Sequence, residues 1–305
     1  MKGSLFVFLG SCSYGVLSTI VVLSYAAGFT LNDVVGSQMV LGAVLLWFVV
    51  LFRFKNSISK KPTRKEIIQM LIAGTSTGLT GLFYYVSLQY LAPSLAVVIF
   101  FQFTWIGIII EAIAKRKTPR KSQLLALIPI FVGTILATNL ITDGLASLQL
   151  QGVLFGFLAA ISNAIFIFVS GRVATKSDPI LRSAIMVTGG AILTSIIVPP
   201  TFLINFTVFG KLLVSYGLLL AFFGSLFSTW MFAKGAPLIS TGLASILSAM
   251  QLPTTMILSI AILHVPINLT QIIGIIIILL GIGVSESNLG KKETMIIKLG
   301  EQHGN

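Results

Sequence analysis

The chain has 305 residues, of which 56% are hydrophobic and only 9% are charged, and its mean hydropathy is +1.02. Soluble proteins carry about 25% charged residues, so a soluble fold could not cover this much apolar surface. The formal net charge of +12 comes from basic residues placed between apolar runs, which favours loops beside lipid headgroups and excludes a nucleic-acid-binding protein.

Ten apolar runs follow one another along the chain, each close to the roughly 20 residues that a helix needs to cross a bilayer. They cover about residues 3–27, 34–53, 66–90, 94–114, 121–140, 150–172, 181–204, 210–233, 238–263 and 268–288. The first run is too long for the apolar core of a signal peptide and predicts an uncleaved span. The sequence therefore predicts an all-α integral membrane protein with ten transmembrane helices, located in the cytoplasmic membrane.

The basic residues fix the predicted orientation. All of the 20 Lys and Arg residues except Lys211 fall in segments that ten spans would place on one side of the membrane. Short cytoplasmic loops retain Lys and Arg because moving these residues across the membrane is costly. We therefore predict that the N and C termini are cytoplasmic and that residues 290–305 form a polar cytoplasmic tail.

A weak internal repeat has an offset of about 149 residues. Tyr14 corresponds to Asn163, Gln102 corresponds to Gln251, and Gly42 with its neighbours resembles the stretch at Gly190. Each copy holds five spans, and because this number is odd the second copy must enter the membrane from the opposite side. We predict two inverted five-helix repeats, residues 1–141 and 150–289. Such repeats place a substrate site near the midplane in many transporters.

Several local patterns accompany this layout. A small and polar stretch occupies residues 10–15, the junctions at Pro93 and Pro237 are very short, and glycines occur in the last span of each repeat, at Gly133 and Gly283. With these patterns, residues 1–290 resemble the drug/metabolite transporter superfamily, and within it the ten-helix transporters of the EamA type. The resemblance implies a secondary transporter whose central cavity is lined mainly by spans 1, 3, 4, 6, 8 and 9.

Two positions depart from the pattern of that family. Gln38 stands where members often carry an arginine in span 2, and the stretch 263–266 lacks the glutamate that many members carry after span 9. Functions that depend on those two charges therefore do not transfer to this chain.

Polar residues near the middle of the spans are the candidate substrate-binding groups, because such residues are costly in a bilayer and usually face a cavity. Four of these groups occupy matched repeat positions, two lie on the same helix face as a matched residue, and one belongs to the aromatic cluster of spans 3 and 4. The predicted set is Tyr14, Tyr84, Gln102, Trp105, Asn163, Gln251 and Thr255. The alternative is that these groups only form hydrogen bonds between helices, which average about 0.6 kcal/mol each.

Glu111 is the one acid that we place within the apolar part of a predicted span, and it is a candidate for proton coupling. Lys115 follows at i+4, a spacing that also predicts a simple ion pair near the end of span 4. His264 stands near the outer end of span 9, where an interfacial residue is favoured over a pH sensor.

Motifs of several other protein classes are missing from the sequence. It contains no phosphate-binding loop and no H-E-x-x-H, and its two histidines are His264 and His303, so we predict no cofactor, no metal site and no enzymatic activity.

The leading hypothesis is a secondary transporter that exports small uncharged or zwitterionic metabolites, such as amino acids, or amphipathic drug-like compounds by alternating access. Its partners would be the small-molecule substrate, the bilayer and protons as coupling ion, with export implied by the resemblance. The alternatives are an intramembrane enzyme acting on lipid and a non-transporting membrane scaffold or receptor.

Overall fold

A computed structural model describes residues 2–54, 62–91, 93–119, 121–137, 149–263 and 268–282. The regular elements in these residues are helices. The predicted role of His264 and the predicted tail 290–305 lie outside the described residues.

The helices are numbered here in chain order. They are α1 (Lys2–Ala26), α2 (Leu31–Phe52), α3 (Arg64–Tyr90), α4 (Ala96–Lys115), α5 (Lys121–Ala137), α6 (Leu150–Ser170), α7 (Pro179–Ile197), α8 (Thr207–Leu238), α9 (Thr241–Ile262) and α10 (Leu269–Ile282). Within the described ranges, 8 helices are long and apolar enough to cross a membrane, and α5 and α10 contain shorter apolar stretches. The prediction of an all-α, multi-pass membrane protein is confirmed, whereas the count of ten spans stays a prediction.

Two helices of the first half begin at capping boxes. At the start of α2, the Thr30 hydroxyl accepts a hydrogen bond from the Asp33 N–H, and the Asp33 carboxylate accepts one from the Thr30 N–H. Thr63 and Glu66 make the same reciprocal pair at the start of α3. Each box gives hydrogen-bond partners to two backbone N–H groups that would otherwise be unpaired. These polar residues therefore define where the apolar helices start.

The first and second halves of the chain pack against each other closely. Helix α3 contacts α6 and α7, while α1 contacts α8 and α9. At the α3–α7 crossing, a Cβ atom at Gly74 would overlap the backbone of Met186, and one at Gly189 would overlap the backbone of Leu71. Glycine therefore allows backbone-to-backbone contact in a region where lipid gives helices no hydrophobic reason to associate.

Two helices are interrupted near their middles. The α-helical pattern of α4 breaks at residues 101–102, and that of α9 breaks at residues 249–250. Tighter i to i−3 backbone bonds replace it, such as Gln102 N–H to Ile99 O and Met250 N–H to Leu247 O. Gln102 lies within the first break and Gln251 directly follows the second, so two of the predicted binding residues stand at helix interruptions.

Candidate functional site

A cavity of about 580 Å³ lies between α1, α2, α3, α4, α6 and α9. Its inner end is formed near the middle of α1, α6 and α9, and it extends to Tyr25 and the exposed Gln89 at the ends of α1 and α3. The family resemblance led us to expect α8 in the lining. In the described lining α2 takes that place through Leu31 and Gln38, and α8 lies behind α2, where the Ser225 hydroxyl donates to the Gln38 carbonyl at 2.8 Å.

The inner end of the cavity is polar and joins both halves of the chain. Tyr14 on α1, Asn163 on α6, and Gln251 and Thr255 on α9 meet there. The Thr255 hydroxyl lies 3.0 Å from the Gln251 carbonyl and 3.2 Å from the carbonyl of Gly15. A Cβ at Gly15 would meet the Gln251 carbonyl at 2.7 Å, so glycine allows α1 to approach α9 here.

Three of the lining groups have unused hydrogen-bonding capacity. Within the described residues, the side-chain amides of Asn163 and Gln251 and the hydroxyl of Tyr84 make no hydrogen bond to the protein. Their polar atoms are not among the fully buried atoms that lack a partner. A primary amide can donate two hydrogen bonds and accept others, and a phenol can do both. These groups are therefore available to a molecule that enters the cavity.

An aromatic wall rises from the polar inner end. The Tyr84 ring packs on Phe100 with 4.8 Å between ring centroids, and Tyr85 lies beside it at 6.1 Å. The Tyr85 hydroxyl donates to Gln38 Oε1 at 3.0 Å, which fixes Gln38 against α3. Among the described lining residues, the polar groups are supplied by Tyr, Gln, Asn, Thr and Ser alone, so the cavity carries no formal charge.

Gln102 and Trp105 stand together but outside the described cavity lining. Gln102 Nε2 donates to the Val98 carbonyl at 3.0 Å, and Gln102 Oε1 accepts from Trp105 Nε1 at 2.6 Å. The Trp105 ring faces Phe157 at 6.4 Å. The structure thus brings five of the seven predicted binding residues, namely Tyr14, Tyr84, Asn163, Gln251 and Thr255, around one cavity, while Gln102 and Trp105 satisfy each other within α4.

Glu111 lies at the opposite end of the bundle from Tyr25. Its Oε1 atom pairs with Lys115 Nζ at 2.5 Å, as the i, i+4 spacing predicts. Its Oε2 atom accepts a 2.6 Å hydrogen bond from the backbone N–H of Gly242 in the first turn of α9. A carboxylate is favourable at a helix amino terminus, where unpaired N–H groups and the helix dipole carry partial positive charge. Glu111 therefore holds the end of α4 to the start of α9.

Two further side chains hold the start of α9. Arg172, in the turn after α6, donates from Nη1 to the Thr241 hydroxyl at 2.9 Å, and Gln123 on α5 donates from Nε2 to the Ser240 hydroxyl at 3.3 Å. Burial lowers the pKa of Arg172, and the nearby carboxylate of Glu111 acts in the opposite direction. Helices α4, α5 and α6 thus converge on one turn, which closes this end of the bundle.

Arg182 is a buried residue whose role the sequence did not reveal. Its side chain is 1% exposed, and it donates from Nη1 to the Ala233 carbonyl at 2.8 Å and from Nη2 to the Ser170 carbonyl at 2.6 Å. It joins the carboxyl ends of α6 and α8, where helix dipoles favour a cation. From the sequence we interpreted Arg182 only as one of the basic residues that set the orientation. Asp178 followed by Pro179 could have predicted its position, because this pair starts α7 at Pro179 and so places Arg182 inside the helix.

Comparison with known proteins identifies the chain's relatives. The model of the EamA-like transporter family matches residues 1–139 and residues 150–285. No curated protein matches the sequence significantly. One solved crystal structure of a protein superposes with a TM-score of 0.72 at 15% sequence identity, and the alignment covers 94% of this chain and 98% of that chain. At this identity the likeness shows a shared fold, and the family match covers most of the chain.

Proposed function

Because the chain belongs to the EamA-like transporter family, whose members carry small molecules across membranes, we propose that it is a secondary transporter working by alternating access in the cytoplasmic membrane. We further propose ten spans arranged as two inverted repeats, residues 1–141 and 150–289, with both termini cytoplasmic. The interruptions of α4 and α9 support this arrangement, because transporters with inverted repeats commonly break helices beside the substrate site.

The observation that carries the proposal is the uncharged cavity with unsatisfied polar groups near mid-span. Asn163, Gln251 and Tyr84 can bind a polar group that enters, and the lining offers no partner charge for an ion. The proposed substrates are small molecules without net charge, namely uncharged or zwitterionic metabolites, such as amino acids, and amphipathic drug-like compounds. Tyr14 and Thr255 complete the proposed contact set, and Gln102 with Trp105 would contribute by holding the interruption of α4 in place.

Closure of one end of the bundle supports alternating access. The cavity extends toward Tyr25, whereas the contacts of Glu111 with Gly242 and of Arg172 with Thr241 close the opposite end. With a cytoplasmic N terminus, the closed end faces the cytoplasm. Export requires this end to open and the Tyr25 end to close. We propose that protonation of Glu111 shifts the equilibrium between these two conformations.

A lipid-acting enzyme has less support. Such an enzyme needs a nucleophile with a base in reach. The described lining residues offer hydroxyls but include neither a histidine nor a carboxylate beside them. The family membership also argues for transport.

Counterflow in proteoliposomes tests the proposal. Purified protein would be preloaded with one unlabelled compound from a panel of amino acids and aromatic amphiphiles, and uptake of the labelled compound would be followed with and without a pH gradient. We expect one class of compound to accumulate and this accumulation to be lost in Gln251→Leu, with Gln89→Leu at the cavity rim as the control. Absence of flux for every compound from folded protein would contradict secondary transport.

A further inference from the structure

Gln102 and Gln251 differ in a way that bears on the substrate. Both stand at helix interruptions, but Gln102 uses its amide within α4, on the Val98 carbonyl and on Trp105. The Gln251 amide makes no such bond in the described structure and lines the cavity. The unused amides among the matched repeat positions therefore lie on α6 and α9.

The available groups at the inner end are two amides without a neighbouring ion. Asn163 and Gln251 each offer N–H donors and a carbonyl acceptor, so together they match a group that also both donates and accepts. Carboxamides and hydroxyls have that property. A polar group left unpaired in a buried site costs free energy, so a ligand that satisfies both amides gains affinity over one that leaves them unpaired.

Apolar and aromatic side chains make up much of the remaining lining, in which Ser18, Gln38, Thr77, Thr80 and Gln89 are the further polar residues besides Thr255 and the tyrosines. Leu17 and Val21 on α1 face this space, as do Val97 on α4 and the rings of Tyr84 and Phe100, which are tilted by 45° to each other. Such a wall favours an aromatic or aliphatic body of a ligand, because burying apolar surface is favourable and offset rings gain additional packing energy. The cavity thus combines two unpaired amides at one end with a largely apolar and aromatic wall.

The charge of the polar head separates the ligands that have such a head and an apolar body. The described lining contains no Lys, Arg, Asp or Glu, and both oxygens of Glu111 are already engaged at the closed end of the bundle. Moving an ion into such a site has a large desolvation cost unless a partner charge is present. A zwitterion brings two charges and needs two partners, so the cavity disfavours free amino acids as well as simple ions.

We propose that the cavity selects uncharged amphiphiles, with a carboxamide or hydroxyl head bound by Asn163 and Gln251 and an apolar or aromatic body along Tyr84 and Phe100. This inference rests on the proposed transport function and narrows its substrate class. It excludes zwitterionic amino acids as preferred substrates.

A matched series of probes with one benzyl body tests the inference by direct binding to the purified protein. N-acetyl-L-phenylalaninamide is neutral, L-phenylalanine is zwitterionic, N-acetyl-L-phenylalanine is anionic and 2-phenylethylamine is cationic. We expect the neutral probe to bind at least about tenfold more tightly than each of the others. Equal or tighter binding of a charged or zwitterionic probe would overturn the inference.

Variants locate the head-binding groups. Asn163→Leu and Gln251→Leu should each weaken binding of the neutral probe by about tenfold. Gln151→Leu is the matched control, because Gln151 is exposed on α6 and lies outside the described cavity lining, and it should change affinity by less than about threefold. An equal loss in Gln151→Leu would contradict the assignment of the head group to Asn163 and Gln251.

Asn163→Asp gives a result that misfolding cannot imitate. At mildly alkaline pH the new carboxylate should reverse the order of the probes, so that 2-phenylethylamine binds more tightly than the neutral amide. An unchanged order in this variant would remove Asn163 from the head site.

Counterflow of the same probes separates this inference from the proposed function. Flux of L-phenylalanine but not of the neutral amide would leave transport standing and overturn the neutral-substrate inference. Tight binding of the neutral amide without flux of any probe would support the selectivity and contradict transport.

Discussion

Glu111 Oε2 accepts a 2.6 Å hydrogen bond from the backbone N–H of Gly242, a residue 131 positions further along the chain. This bond joins the end of α4 to the first turn of α9 and therefore connects the two matched segments of the chain. The space around Gly242 is small. A Cβ atom there would overlap the side-chain amide of Gln123 and would lie 3.0 Å from Glu111 Oε2. This contact between α4 and α9 thus depends on one carboxylate, one backbone N–H and one glycine.

The first prediction concerns proton coupling. Lys115 on α4, the Gly242 N–H on α9, Arg172 after α6 and Gln123 on α5 surround Glu111. Protonation would remove its negative charge and weaken its bonds to Lys115 and Gly242, which favours opening of this end. Glu111→Gln resembles the protonated form, so we expect it to abolish the dependence of transport on a pH gradient while exchange of substrate continues.

Proteoliposome flux with and without an imposed pH gradient measures this effect. Glu66→Gln is the control, since this carboxylate lies in an exposed capping box at the start of α3. Gradient dependence that survives in Glu111→Gln would restrict Glu111 to a structural role at the closed end.

The second prediction concerns the buried Arg182. Replacing it with methionine leaves the carbonyls of Ser170 and Ala233 without their donor. A buried polar group that loses its partner costs about 1–3 kcal/mol, so we expect the free energy of unfolding to fall by about 2 kcal/mol or more. Denaturant unfolding in detergent micelles would measure the change. Lys176→Met, which removes an exposed basic residue of the preceding loop, should leave stability unchanged, and equal effects of both variants would refute the role of Arg182 as a helix connector.

The sequence predicted much of this molecule because the bilayer imposes simple rules. Long apolar runs indicated the helices, and the cost of mid-span polar groups identified Tyr14, Asn163 and Gln251, which the structure places around one cavity. The same rules could not separate Gln102 from Gln251. That difference depends on the local break of α4 and on the position of the Trp105 indole, neither of which is encoded in hydropathy.

The third prediction tests the glycine contact between α3 and α7. A methyl group at Gly74 would overlap the backbone of Met186, and backbone atoms cannot move aside as a flexible side chain can. Overpacking typically costs about 1–3 kcal/mol, and we expect Gly74→Ala to reach the upper part of that range. Gly210→Ala is the matched control, because a Cβ there meets nothing within 4 Å. Thermal unfolding of the two variants should differ clearly, and similar melting temperatures would show that the crossing relaxes without cost.

The last prediction uses Gln38, a cavity residue at which the family resemblance led us to expect an arginine. Gln38 lines the cavity, and its Oε1 atom accepts from the Tyr85 hydroxyl. Gln38→Arg would introduce a cation into a cavity whose described lining has no charge, so it should favour an anionic ligand and disfavour a cationic one. We expect the affinity for N-acetyl-L-phenylalanine to rise by about tenfold relative to N-acetyl-L-phenylalaninamide, measured by direct binding. Gln38→Met removes the bond from Tyr85 without adding charge, and a similar shift in that variant would show that altered packing, not charge, changed the preference.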